Sequence, residues 1–178
     1  MKNPAGPIVV VDYDPVWREW FESLRALLAG VLGDLAPIIE HVGSTAVPGL
    51  AAKPIIDIDV IIDSRETLPE VVERLATVGY RHEGDLGIPG REAFRPPDGS
   101  IAHHLYVCER GNAASREHLR LRDYLRSHPD AVQAYAALKR RLAVQFRDDR
   151  AGYTQAKTGW IRCCLEAAWL ATDLVEPD

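Results

Sequence analysis

No stretch of this chain is apolar for long enough to span a bilayer. Met1 to Val11 holds one lysine and only a short apolar run, without the long apolar segment and small-residue cleavage site of a secretory signal. Cysteine is scarce. Cys108, Cys163 and Cys164 are odd in number and irregular in spacing, which excludes a disulfide framework. No Cys-x-x-Cys pair occurs, and His41, His82 and His118 are scattered, so zinc is not indicated. The chain therefore reads as cytoplasmic, with reduced thiols. Positive charge is short as well: 21 Lys and Arg face 26 Asp and Glu, for a formal net charge of −5. That balance argues against a surface that reads nucleic-acid phosphates at large. Internal repeats and low-complexity tracts are absent. What remains is a chain of 178 residues, 47% hydrophobic and 26% charged, long enough to bury a core without staples.

The periodicity divides into two parts. Ile8 to Val11 is a β-branched run and predicts a strand. Asp14-Pro15 predicts a helix start, and the apolar spacing from Pro15 to about Leu32 an amphipathic helix. Pro37 to Val42 and Pro54 to Asp63 read as strands. Between them Gly43 to Pro54, with two glycines and two prolines, reads as an ordered loop with at most one helical turn. Glu66 to Val78 reads as a helix, Tyr80 to Pro97 as short strands, and Ile101 to Glu109 as a further strand. Three helices follow: one capped by Ser115 and ending near Ser127, one capped by Asp130 and reaching Asp148, and one from about Gly152 to Thr172. Glu176-Pro177-Asp178 reads as a frayed end. The expectation is α+β: a mixed sheet with packed helices over residues 1–110, then a helical part over 111–178 packed on it as one compact domain. The segment 115–150 holds nine Lys and Arg against five acids, so a basic helical part faces an acidic remainder.

The pairing of Gly43-Ser44 with Asp57-Ile58-Asp59 carries the chemistry. Backbone N–H groups and a hydroxyl at a Gly-Ser turn after a strand suit phosphate oxygens. Carboxylates two apart on a strand share a face and suit a hard cation such as Mg²⁺. Ile55, Ile56, Ile58, Val60, Ile61 and Ile62 make this a buried strand, on which two adjacent carboxylates repel unless a cation or a basic partner compensates them. Lys53 lies between the turn and the diacid strand, within reach of a phosphate. Arg122, Lys139, Arg140 and Lys157 are candidates for a basic wall, each weighed against a merely solvated helix face.

The run Glu40-His41-Val42-Gly43-Ser44-Thr45-Ala46-Val47-Pro48-Gly49-Leu50, followed by Ala52-Lys53-Pro54-Ile55-Ile56-Asp57-Ile58, resembles the signature of the GrpB family. The similarity continues through His103-His104-Leu105, Arg122-Asp123-Tyr124-Leu125, and Tyr153 with Lys157. That resemblance implies a nucleotidyltransferase-like, polymerase β-type fold, and the family also occurs fused behind dephospho-CoA kinase. It further implies a site with Asp57 and Asp59 as catalytic carboxylates and Mg²⁺ ligands. Gly43, Ser44, Thr45, Lys53, Arg122 and Lys157 would hold a nucleotide or other phosphorylated small molecule. Active members of the superfamily carry a third carboxylate on a later strand, where this chain offers His103 and His104. His104 is the candidate base, because imidazole titrates near neutrality. Two functions stay open: Mg²⁺-dependent nucleotidyl transfer from an NTP to an unidentified acceptor, or a non-catalytic module that binds a nucleotide or CoA-type ligand.

Overall fold

The computed structural model describes residues 6–35 and 37–173; the C-terminal Glu176-Pro177-Asp178 lies outside them. Helix α1 (Val16–Leu32) starts as its sequence dictates: the Asp14 carboxylate accepts from the Val16 N–H at 2.9 Å, and Pro15 stands at the turn. Five strands follow in the chain, β1 (Ile38–Val42), β2 (Ile56–Ile62), β3 (Arg81–Gly84), β4 (Arg91–Arg95) and β5 (His103–Glu109), with α2 (Leu68–Thr77) between β2 and β3. They form one sheet in the order β1-β2-β5-β4-β3. The β2/β5 pair is parallel and the other pairs are antiparallel. The sheet is thus mixed and the class α+β, as the sequence predicts. Three helices complete the chain: α3 (Ala113–Ser127), α4 (Pro129–Gln145) and α5 (Arg150–Asp173). Among the described residues no helix is long and apolar enough to cross a membrane.

The sheet has two unlike faces because its pleat separates alternate residues. Ile56, Ile58, Val60 and Ile62 of β2, with Leu105 and Val107 of β5, pack against Trp17, Phe21, Leu24 and Leu28 of α1 and Val71 and Leu75 of α2. This dry layer is the main core. The opposite face carries Asp57 and Asp59, and the C-terminal helices cover it. A second apolar cluster ties those helices to the loop after β1, joining Val47, Leu50 and Ala51 to Leu125, Val132, Tyr135 and Ala136.

Local details depart from the sequence expectations for identifiable reasons. Ile8 to Val11 forms no strand. Val11 makes a single antiparallel bridge to Ala52, while Ile8 packs on Leu142, Ala143 and Tyr153 and donates its N–H to the carbonyl of Arg147. The run is apolar because it lines the helical layer. Helix α3 is capped by Asn112, whose side chain accepts from the N–H groups of Ala114 and Ser115, so Ser115 lies one turn inside and is buried. Helix α4 begins at Pro129, which needs no donor there, and Asp130 sits in its first turn rather than capping it.

Candidate functional site

The strand register builds the site. Antiparallel pairing sets Asp57 beside Val42 and Asp59 beside Glu40, and parallel pairing sets His104 beside Asp57 and Tyr106 beside Asp59. The acids Glu40, Asp57 and Asp59 therefore share one face with His104 and Tyr106. His103 and His41 point to the other side, as residue parity requires. His103 donates from Nδ1 to the carbonyl of Ile101 at 2.6 Å, which leaves Nε2 to accept from the Tyr80 hydroxyl at 2.8 Å. His41 stacks on Phe21 with centroids 4.6 Å apart, and burial holds its imidazole down at about 4. Both are neutral structural histidines.

The two carboxylates are individually compensated. His104 Nδ1 donates to Asp57 Oδ1 at 2.8 Å, and His118 Nδ1, from α3, donates to Asp59 Oδ2 at 2.8 Å. Burial raises the Asp57 carboxyl, but the His104 hydrogen bond and the nearby His104, His118 and Lys53 charges outweigh it, so the group sits below the ordinary carboxylate range. Burial likewise pulls His118 down, and the hydrogen bond and charge of Asp59 more than restore it, leaving it raised. Bare repulsion between adjacent acids, expected from the sequence, is thus relieved by a hydrogen bond from His104 to Asp57 and an ion pair of His118 with Asp59. Asp59 is fully buried and its Oδ1 has no hydrogen-bond partner.

This pairing has a measurable consequence. Asp59→Asn is expected to lower stability by about 1–3 kcal/mol, because it removes one charge of a largely buried pair while keeping an acceptor for His118. Since the native His118 value is raised, the pair contributes fully below the ordinary histidine value and is lost as pH climbs through the native one. Urea melts should show the penalty at about pH 6 and a smaller one at about pH 9. A penalty that grows with pH would refute the assignment of charge.

Gly43 brings the turn against the acids. It follows β1 with φ 70°, and Ser44–Ala46 forms one 3-10 turn whose internal hydrogen bonds begin at the Ala46 N–H, so the Ser44 and Thr45 N–H groups precede them. A Cβ placed on Gly43 would lie 2.2 Å from Asp57 Oδ2, so backbone and carboxylate approach as only glycine permits. Arg126 of α3 clamps the turn by donating from Nε and Nη2 to the carbonyl of Ala46 at 3.0 and 2.8 Å.

Two cavities meet at Asp57. The larger, about 740 Å³, is bounded by Ser44, Lys53, Asp57, His104, Tyr106, Lys139, Arg150 and Lys157. The smaller, about 310 Å³, runs between the sheet and α3 and α5, past Gly43, Ser44, Asp57, Arg91, His118, Arg122 and the apolar Val42, Leu121, Leu125 and Ile161. Both include Ser44, Asp57, Tyr106, Thr154 and Lys157.

Of the residues singled out by sequence, Gly43, Ser44, Lys53, Asp57, His104, Lys139 and Lys157 converge here. Asp59 stands behind them, beneath His118. Thr45 does not join them. Its hydroxyl meets His41 Nε2 at 3.0 Å and the carbonyl of Ile55 at 3.4 Å, where it borders a different cavity on the far side of the loop. Arg122 borders the smaller cavity, but its guanidinium is engaged by Glu40 at 2.6 Å, the carbonyl of His41 at 3.1 Å and Asp123 at 2.7 Å. Arg140 leaves the basic wall altogether and pairs with Asp12. Sequence reasoning passed over His118 and Glu40. The Glu40 register with Asp59 follows once β1 and β2 are paired antiparallel. The place of His118 depends on how α3 docks, which no local pattern encodes.

Among the described residues no group of three or more His, Cys, Asp or Glu is arranged to hold a metal ion. The protein's own hard donors are the two aspartates. Two carboxylates, one with a buried unpartnered oxygen, fit Mg²⁺, which keeps its waters and shares ligands with phosphates.

The sequence profile of the family described as GrpB protein matches residues 7–167. The UPF0157 protein YqkA of Bacillus subtilis (strain 168) is 38% identical over 165 residues, 93% of this chain and 48% of its own length. A dephospho-CoA kinase of Mycolicibacterium paratuberculosis is 27% identical over 189 residues, 92% of this chain and 46% of its own length. The chain thus spans about half the length of these two relatives. The crystal structure of conserved protein GrpB from Enterococcus faecalis superposes with a TM-score of 0.82 at 34% identity, covering 90% of this chain and 96% of that one. The Gly-Ser turn after β1 and the Asp-x-Asp strand both lie within the matched residues, and the chain belongs to the GrpB family.

Proposed function

We propose that the cleft binds a nucleotide together with Mg²⁺ and supports transfer of its nucleotidyl group to an acceptor. One observation carries this reading. Gly43 lets the phosphate-binding type of turn touch the very carboxylate, Asp57, that would hold the cation. The Ser44 N–H and hydroxyl orient phosphate oxygens. Asp57 Oδ2 and Asp59 Oδ1 are the oxygens left over from the histidine pairs, and Asp57 and Asp59 would hold the cation. Bound there, Mg²⁺ would neutralise phosphate charge in the transition state. His104 has Nδ1–H committed to Asp57, so its Nε2 is the atom that takes a proton from an acceptor hydroxyl. The apolar walls of the smaller cavity suit the nucleoside.

A second reading is favoured by the acid count. Glu40, the third acid on this face, is bound by Arg122, so binding without turnover fits as well. Thermal unfolding with a panel of NTPs and CoA-type nucleotides, with and without Mg²⁺, tests both. Saturation at about 100 times Kd is expected to stabilise wild type by about 2.7 kcal/mol, with the Mg²⁺-dependent part lost in Asp57→Asn. No stabilisation by any nucleotide would sink the proposal. Stabilisation with no pyrophosphate released on prolonged incubation with candidate acceptors would favour the binding module.

A further inference from the structure

We propose that Lys53, Lys139 and Lys157 form one receptor for a terminal chain of at least two linked phosphates, which binds there even without nucleoside or metal. The inference deepens the nucleotide reading and rests on it for the identity of the complete ligand. The three lysines come from separate parts of the chain, the loop before β2, the middle of α4 and the first half of α5, yet all open on the larger cavity. Lys139 is 2% exposed and its Nζ has no hydrogen-bond partner. A buried amine without an acceptor destabilises the fold, and packing gives no reason to keep it.

Aromatic faces, not acids, border these three amino groups. The Tyr153 ring lies 5.6 Å from Lys53 Nζ and 4.4 Å from Lys157 Nζ, and the Tyr135 ring lies 4.5 Å from Lys139 Nζ. Tyr135 is itself backed by Trp160, stacked at 4.2 Å. Such contacts fix a cation in place without neutralising it. Among the described residues Asp57 is the one carboxylate bordering this cavity, and His104 already occupies one of its oxygens. The cavity, about 740 Å³, has room for linked phosphates, which can meet lysines from three separate elements at once. The groups acting on Lys139 are Lys157, Lys53 and its helix neighbour Arg140, which push its proton off, and Asp57, which holds it on. With burial the largest cause, Lys139 falls to about 6 and Lys157 to about 8. A polyanion reverses that balance, so binding takes up protons.

Calorimetry at about pH 7.5 with pyrophosphate, tripolyphosphate and orthophosphate, free of divalent cations and in two buffers of different ionisation heat, tests the receptor. Pyrophosphate and tripolyphosphate are expected to bind at least ~10-fold more tightly than orthophosphate, and Lys139→Met and Lys157→Met each to weaken pyrophosphate by ~10-fold or more. Wild type is expected to take up protons on binding, and Lys139→Met fewer. Pyrophosphate binding no tighter than orthophosphate, or unchanged in both variants, overturns the proposal. The nucleotide reading fails separately. If NTP with Mg²⁺ stabilises wild type while pyrophosphate does not bind, the receptor falls and the nucleotide site stands. If pyrophosphate binds through the lysines while no nucleotide does, the receptor stands and the nucleotide site falls.

Discussion

Gly43→Val is expected to abolish nucleotide binding and to lower the stability of the fold by roughly 2–4 kcal/mol. Two effects add. The residue sits at φ 70°, where a β-branched side chain is strained. Its Cβ would also meet Asp57 Oδ2 at 2.2 Å, Cγ at 2.8 Å and Cβ at 2.9 Å. All three are atoms of one side chain, whose carboxylate is tied to His104. The new methyl groups would also stand where a phosphate approaches the turn. Urea melts of Gly43→Ala, alone and with Asp57→Gly, separate the effects: the second change is expected to recover the part of the loss due to the clash, and neither variant to regain nucleotide binding. Binding and stability both at wild-type levels in Gly43→Val would show that the turn is a connection and nothing more.

Lys139→Met is expected to do the reverse, raising stability while weakening anion binding. In the unfolded chain Lys139 is an ordinary ammonium that titrates at 10.5, and in the fold burial holds it down to about 6. At pH 7 folding must therefore strip its proton, at a cost of roughly 3–5 kcal/mol. The sign follows from proton counts. Between the two values the unfolded state binds more protons, so the wild type gains stability as pH rises from about 6 towards 10.5. The methionine variant, free of that cost, should lie on the order of 2 kcal/mol or more above wild type near pH 7 and converge with it by about pH 10. A variant less stable than wild type at pH 7 would mean that the amine is held by an interaction favouring the fold.

How much of this could be read from the chain follows its contact distances. The Gly43-Ser44 turn, the Asp57/Asp59 strand and the dry face of β2 were legible because a dozen or so residues and a two-residue period define them. The split between His103 and His104 was legible only as an alternation, until β5 was paired in parallel with β2. Pairing Asp59 with His118, 59 residues later, required the docking of α3. Lys139 read as a charged residue among others on an amphipathic helix, since its burial depends on α5 closing over it. Arg122 and Arg140 matched the expected basic wall in charge but not in direction, because Glu40 and Asp12 claimed them first. Val9 to Val11 misled for a related reason: β-branched residues also suit a loop pressed against helices.

The two faces of the sheet are finished at different moments of synthesis. Helices α1 and α2, which seal the dry face, leave the ribosome with the strands they cover or before them. The aspartate face is closed only by α3, α4 and α5, made after β5, while Ile8, which precedes every strand, is anchored to the carbonyl of Arg147 and packs on Tyr153. A nascent chain halted after β5 therefore owns all five strands but a charged, open flank and an undocked Ile8. Only the arrival of α5 lets Ile8 dock and the cleft acquire its third lysine, so competence to bind comes after the sheet is complete.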